Sequence, residues 1–273
     1  MDVPRDGFAN KVFYVWFDAP VEYIAGTQEW AHEDPGKRDW RTWWDTQSDV
    51  VYTQFMAKDN VPFHTVFFPA MLLGTREQWN LPHRIKSFHW LTYYGGKFST
   101  SLKRGIFLDD ALALYPADYW RYFLLAQSPE ADDAGFTWEL FATVINKDLV
   151  GNFGNFVNRT LTLTSRHFGS QVPGGRAPFT EVEVQLKADC ARVVSQYRTH
   201  LRQTEFRKAL KALRELWSLG NRYLDSRAPW AQLLELDGDF DGHLFELPEL
   251  LFRRVERADV EAYRRRFGGE HQA

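Results

Sequence analysis

The feature that most limits how this chain can fold is a change in the spacing of its apolar residues near residue 108. Before that point short apolar runs alternate with amphipathic stretches. Residues 11–17 (KVFYVWF) are β-branched and aromatic, and they run into Asp18, Ala19 and Pro20, where a proline in the first turn suits a helix start. Residues 37–47 read as helix, 50–56 (VVYTQFM) as a second strand, 61–73 (VPFHTVFFPAMLL) as an apolar helix and 84–92 as a third strand. This alternation predicts parallel α/β units, in which ligands bind beyond the C-terminal ends of the strands. Three strands are fewer than a complete doubly wound sheet carries, so the sheet reads as cut on its N-terminal side.

From residue 108 onward Leu108, Leu112, Tyr115, Tyr119, Phe123 and Leu124 recur at helical spacing, and the rest reads as mostly α. Thr137, followed by Trp138 and Glu139, offers an N-cap to one long helix reaching Phe168 and Gly169. Residues 173–178 (PGGRAP) mark a loop, and further helices are predicted over 180–202 and 204–226. The fold class is therefore α/β followed by an all-α bundle of about four helices.

Composition excludes several alternatives. The 33 basic and 36 acidic residues nearly cancel, so any polyanion must be met by local clustering. Residues 155–227 hold 13 basic against 6 acidic residues, either a docking face for a polyanion or ordinary solvated helix faces. The single cysteine, Cys190, rules out an internal disulfide and a multi-thiolate zinc site, and it fits a reducing, cytoplasmic setting. No basic-then-apolar leader opens the chain and no run of about 18 apolar residues occurs, so neither export nor a membrane partner is expected.

The stretch richest in chemistry is Gly95 to Ser101 (GGKFSTS), after the third strand. Its glycines allow close backbone approach, Lys97 supplies a charge, and Ser99, Thr100 and Ser101 offer hydroxyls, a mixture that suits the phosphates of a nucleotide and equally suits a solvent loop. Asp59, after the second strand, can hold an ammonium or a ribose hydroxyl, or cap a helix. Taken alone, Trp16, Tyr23 and Phe68 read as core residues and His64 as a satisfied core histidine. Asn155 and Arg159 stand at i and i+4, on one helix face.

The Lys97-Phe98-Ser99-Thr100-Ser101 loop resembles the signature loop of class I aminoacyl-tRNA synthetases. Residues 12–24 (VFYVWFDAPVEYI), 54–72, 113–141, 149–160 (LVGNFGNFVNRT), 223–230 (YLDSRAPW) and 251–269 are similar to the methionyl enzymes in particular. The resemblance implies a Rossmann-type catalytic part followed by a helical anticodon-binding part. It implies that Trp16, Ala19, Pro20, Tyr23, Asn60 and His64 bind the methionine side chain, with Phe68 as a further wall. It implies that Asp59, Lys97, Phe98, Ser99 and Thr100 bind ATP, brought with Mg²⁺, and that Lys97, Ser99, Thr100 and Ser101 act in catalysis. Asn155, Arg159 and Trp230 fall where the family reads the anticodon of tRNA(Met). Thr100 stands where the commoner loop has a second lysine, and Lys103 or Arg104 is expected to supply that charge.

The family's other signature, of His-x-Gly-His type, does not occur in these residues. The resemblance therefore implies a C-terminal portion: a partial catalytic domain over 1–107, a stem-contact region over 108–137 and an anticodon-binding domain over 138–273. The N-terminal half is then an expected partner. Without it the polypeptide is expected to aggregate, through an unpaired strand edge, and to lack aminoacylation.

Overall fold

The structure, a computed structural model, describes residues 5–12, 14–15, 19–46, 49–168, 178–228 and 253–267. The chain divides into two compact units, Met1–Trp90 and Leu91–Ala273. Most of the strand expected over 11–17 lies outside the described residues.

In the first unit a single 3₁₀ turn, Ala19–Val21, leads into α1 (Glu22–His32), as Pro20 predicted. The helix expected over 37–47 shrinks to one turn, α2 (Arg41–Trp44). Its tryptophans serve separate contacts rather than one helix face. Trp44 is buried against Tyr52, Trp40 stacks on Trp79, and Trp43 meets Trp30 edge-on. Strand β1 (Thr53–Ala57) pairs in parallel with β2 (Arg84–Phe88), from Thr53 opposite Arg84 to Ala57 opposite Phe88. The crossover between them holds a wide π turn, Phe63–Phe67, and α3 (Phe68–Gly74), with Pro69 in the first turn of α3. Ile24, Trp44, Phe68 and Leu72 form the core of this unit.

The second unit opens with β3 (Leu91–Tyr93), so the stretch read as one strand over 84–92 divides between the two units. Helices α4 (Leu108–Leu114) and α5 (Ala117–Ala126) follow. Next comes β4 (Ala134–Phe136), which pairs in parallel with β3 and lies inside a stretch that the sequence reads as helical. Three residues are too few to show a period of two, and only the partner strand reveals β4. Thr137 caps α6 (Trp138–Val144): its hydroxyl oxygen accepts from Leu140 N at 3.1 Å. The path continues through a π stretch, Ile145–Gly154, into α7 (Asn155–Phe168), in line with the long helix expected.

Helices α8 (Glu181–Arg202) and α9 (Phe206–Arg227) form the hairpin that the sequence predicts within two residues at each end. The N-terminus of α9 is closed by Glu130, whose two carboxylate oxygens accept from Phe206 N and Arg207 N, both at 2.9 Å. The last described helix is α10 (Arg257–Arg266). Tyr93, Tyr115, Phe123, Phe136, Trp138 and Phe141 make an aromatic core on which these elements converge. Arg214 of α9 donates to Asp148 at 3.2 Å and Tyr122 of α5 donates to it at 2.8 Å, which fixes α9 against the π stretch.

Candidate functional site

In the first unit the side chains nominated for methionine gather around the start of α1 and the turn after β1. Ala19 and Pro20 form the 3₁₀ turn that delivers Tyr23. His64, in the crossover, is buried, whereas Tyr23 is 45% exposed. The His64 Nδ1 lies 2.9 Å from the Asn60 carbonyl oxygen, and its Nε2 lies 3.0 Å from the Tyr23 hydroxyl. A carbonyl only accepts, so Nδ1 carries the hydrogen and, in the neutral ring, Nε2 accepts from Tyr23. Burial, reinforced by the Glu22 carboxylate, pushes the Tyr23 phenol above its ordinary pKa, so it keeps the proton that this bond needs. The Tyr23 ring also meets Phe68 edge-on at 6.1 Å. It forms part of the wall of a cavity of about 860 Å³, together with Trp30, Trp43, Trp44 and Tyr52. Burial raises the Tyr52 pKa to about 12.

Tyr23, His64 and the Asn60 carbonyl are thus one hydrogen-bonded group, of which the Tyr23 ring lines the mostly apolar cavity while His64 is buried behind it. Such a lining suits an uncharged, polarizable side chain. Trp16 lies outside the described residues. Asp59 is exposed in the 3₁₀ turn Lys58–Asn60, at the C-terminal end of β1, and its carboxylate makes no side-chain bond among the described residues. It sits at the strand end where parallel α/β units bind ligands.

In the second unit the Gly95–Ser101 segment lies in two successive tight turns. Tyr94 and Gly95 both have positive φ, 46° and 74°, between Tyr93 and Gly96, which exchange backbone hydrogen bonds. This is a two-residue hairpin turn of the mirror-image type, which normally takes Asn or Gly. Tyr94 tolerates it because its hydroxyl is held at both ends, donating to Glu139 at 2.9 Å and accepting from Trp138 N at 3.1 Å. The second turn spans Thr100 to Lys103 and is closed by reciprocal backbone bonds between Ser99 and Arg104, at 2.9 and 2.8 Å.

The Phe98 ring packs on Tyr93 at 5.5 Å and fills the space beside Gly105, where an added Cβ would lie 2.4 Å from it. Phe98 therefore ties the loop to the core, while Lys97 and Thr100 stay exposed. The Ser99 and Ser101 hydroxyls lie 3.2 Å apart. Lys97, Ser99, Thr100 and Arg104 line a cavity of about 410 Å³ with no carboxylate among its described lining residues. Two cations and two hydroxyls with no opposing anion suit a phosphate chain.

On α7, Asn155 and Arg159 do share a face, and each is engaged from α9. Asn155 Nδ2 donates to Asn221 Oδ1 at 3.0 Å, and Arg159 pairs with Asp225 at 2.6 Å. Sequence reasoning named neither Asn221 nor Asp225. Their i and i+4 spacing on the neighbouring helix, matching that of Asn155 and Arg159, is the signal that could have found them. Trp230 lies outside the described residues.

Two family matches follow one another along the chain, and they meet inside the second unit rather than at Trp90. The family described as tRNA synthetases class I (M) matches residues 1–161, and the anticodon binding domain of methionyl tRNA ligase matches residues 172–240. The chain is 55% identical over 234 residues to the methionine–tRNA ligase of Streptomyces avermitilis, covering 84% of this chain and 41% of that protein. It is 52% identical over 237 residues to methionine–tRNA ligase 1 of Acaryochloris marina, covering 87% and 42%. Among solved structures, Mycobacterium tuberculosis methionyl-tRNA synthetase bound by methionyl-adenylate superposes with a TM-score of 0.69 at 25% identity, over 88% of this chain and 44% of that one. A class I catalytic fold followed by an anticodon-binding helical region is what these matches define. The chain belongs to the methionyl-tRNA synthetase family. It spans about two fifths of the length of the curated relatives it matches.

Proposed function

We propose that this chain provides the methionine-binding, phosphate-binding and anticodon-binding residues of a methionine–tRNA ligase. The observation that carries this reading is the Tyr23 ring, held by His64 and the Asn60 carbonyl in the wall of a mostly apolar cavity fit for a thioether, in a chain whose relatives are methionine–tRNA ligases. Sulfur against such rings adds about 0.3–1.5 kcal/mol beyond area burial. In the reaction a methionine carboxylate oxygen bonds to the α-phosphorus of ATP, which comes with Mg²⁺, and pyrophosphate leaves. The tRNA 3′-terminal hydroxyl then attacks the carbonyl of the adenylate and AMP leaves.

Ala19, Pro20 and Trp16 complete the side-chain pocket, and Asp59 holds the substrate ammonium or a ribose hydroxyl. Lys97 with Ser99, Thr100 and Ser101 neutralises charge developing on the phosphates. Asn155, Arg159 and Trp230 read the anticodon, the first two by edge-directed hydrogen bonds and the third by stacking, worth about 1–3 kcal/mol per base. Residues 1–107 then serve catalysis, 108–137 contact the tRNA stem and 138–273 bind the anticodon. The remaining length of the relatives corresponds to a partner part that completes the site, and the setting is cytoplasmic. Substituting this chain for the matching segment of the Streptomyces avermitilis ligase tests the reading. Methionine-dependent exchange of pyrophosphate into ATP is expected to survive, and a folded hybrid with no such exchange would refute it.

A further inference from the structure

Arg104 is the least expected member of the loop cavity. Its Nη2 donates to the carbonyl oxygens of Tyr93 at 2.9 Å and Tyr94 at 3.4 Å, so the guanidinium is fixed beneath the turn that begins the loop. Its Nε is buried with no hydrogen-bond partner among the described residues. A Cβ on Gly96 would lie 2.3 Å from Nη2 and 2.6 Å from Cζ, so the seat of this guanidinium exists only because residue 96 is glycine. Carbonyl oxygens accept hydrogen bonds without bringing a counter-charge, and no carboxylate lines the cavity among the described residues. Lys103, the other cation of the turn, has a left-handed backbone at φ 50°, is exposed and does not line the cavity.

We propose that Arg104 is a built-in anion-binding residue of this loop. Held by the Tyr93 and Tyr94 carbonyls, it gives the cavity a second fixed charge beside Lys97 and binds the phosphate chain of the nucleotide. This rests on the reading of the loop as the ATP-phosphate site, and it assigns the charge that Thr100 lacks to Arg104 rather than to Lys103. Arginine suits the task because its planar fork can spend Nη2 on carbonyls and still present Nη1 to phosphate oxygens. Glycine at 96 and arginine at 104 then form one device, since the first makes room for the second.

Titration calorimetry of the Streptomyces avermitilis hybrid, in which the site is complete, with inorganic tripolyphosphate tests this. Arg104→Ala is expected to weaken binding roughly ten- to a hundredfold, the range for loss of a hydrogen bond to a charged group. Gly96→Ala, which evicts the guanidinium and leaves Arg104 in the sequence, is expected to weaken it comparably. Lys103→Ala is expected to change it less than about threefold, as for an exposed, screened charge. Thr100→Lys added to Arg104→Ala is expected to restore most of the affinity, which separates a missing charge from a damaged loop. Unchanged affinity in Arg104→Ala beside a loss in Lys97→Ala would overturn the inference while sparing the phosphate-site reading. No binding by the otherwise unaltered, folded hybrid would overturn both.

Discussion

At the scale of single residues, the side chains nominated for function are held by partners of opposite hydrogen-bonding role. Arg159 is paired to Asp225, and Asn155 to Asn221. Asp225 is 64% exposed at its side chain, so the ion pair contributes little to stability. Asp225→Ala is therefore expected to lower stability by less than about 1 kcal/mol in a denaturant titration. It removes a contact that orients Arg159, so binding of an anticodon stem-loop, followed by fluorescence anisotropy, is expected to change more than stability does. Asp148 is the contrasting case, being 7% exposed and accepting from Tyr122 and Arg214. Asp148→Ala removes the acceptor from both, and a loss on the order of 2 kcal/mol is expected from the same titration.

At the scale of elements, the α8–α9 hairpin is clasped near its open end by Glu183. Its carboxylate accepts from Thr180, Tyr223 at 3.0 Å and Arg227. The Thr180 hydroxyl first, then the Arg227 guanidinium and the Tyr223 hydroxyl, hold the Glu183 carboxyl down to about 2, against an ordinary 4.5. A depressed carboxyl stabilises the fold above its unfolded pKa and loses that contribution as pH falls through the folded one. The clasp is thus complete above about pH 4.5 and lost progressively toward pH 2. Melting temperature against pH is expected to fall more steeply over that window in the unaltered chain than in Glu183→Gln.

The elements also show what a sequence discloses. Helices α8 and α9 were legible because each runs for 22 residues and α8 starts at Thr180 and Glu183, a reciprocal cap with a sequence signature. Strand β4 was not legible, because three residues pair only with β3, which lies more than forty residues earlier. The tryptophans at 40, 43 and 44 misled in the other direction, since they mimic helical spacing and serve three different contacts around one turn. Among site residues, Tyr23 and His64 emerged from the family resemblance, and only the coordinates show that Asn60 contributes through its backbone carbonyl.

At the scale of the whole molecule, each unit has its own aromatic core. Ile24, Trp44, Phe68 and Leu72 hold the first, and Tyr93, Phe123, Phe136, Trp138 and Phe141 hold much of the second. Trp138 is fully buried, and Trp138→Ala is expected to cost about 3–5 kcal/mol and to melt the second unit first, visible by hydrogen exchange. In the first unit, the Tyr23–His64 pair is proposed to recognise the methionine side chain.

The most direct test is steady-state pyrophosphate exchange by the Streptomyces avermitilis hybrid carrying His64→Ala. The KM for methionine is expected to rise about tenfold or more, through loss of a buried hydrogen bond and ring contact, with the KM for ATP unchanged. An unchanged KM for methionine in a folded His64→Ala hybrid would contradict the account.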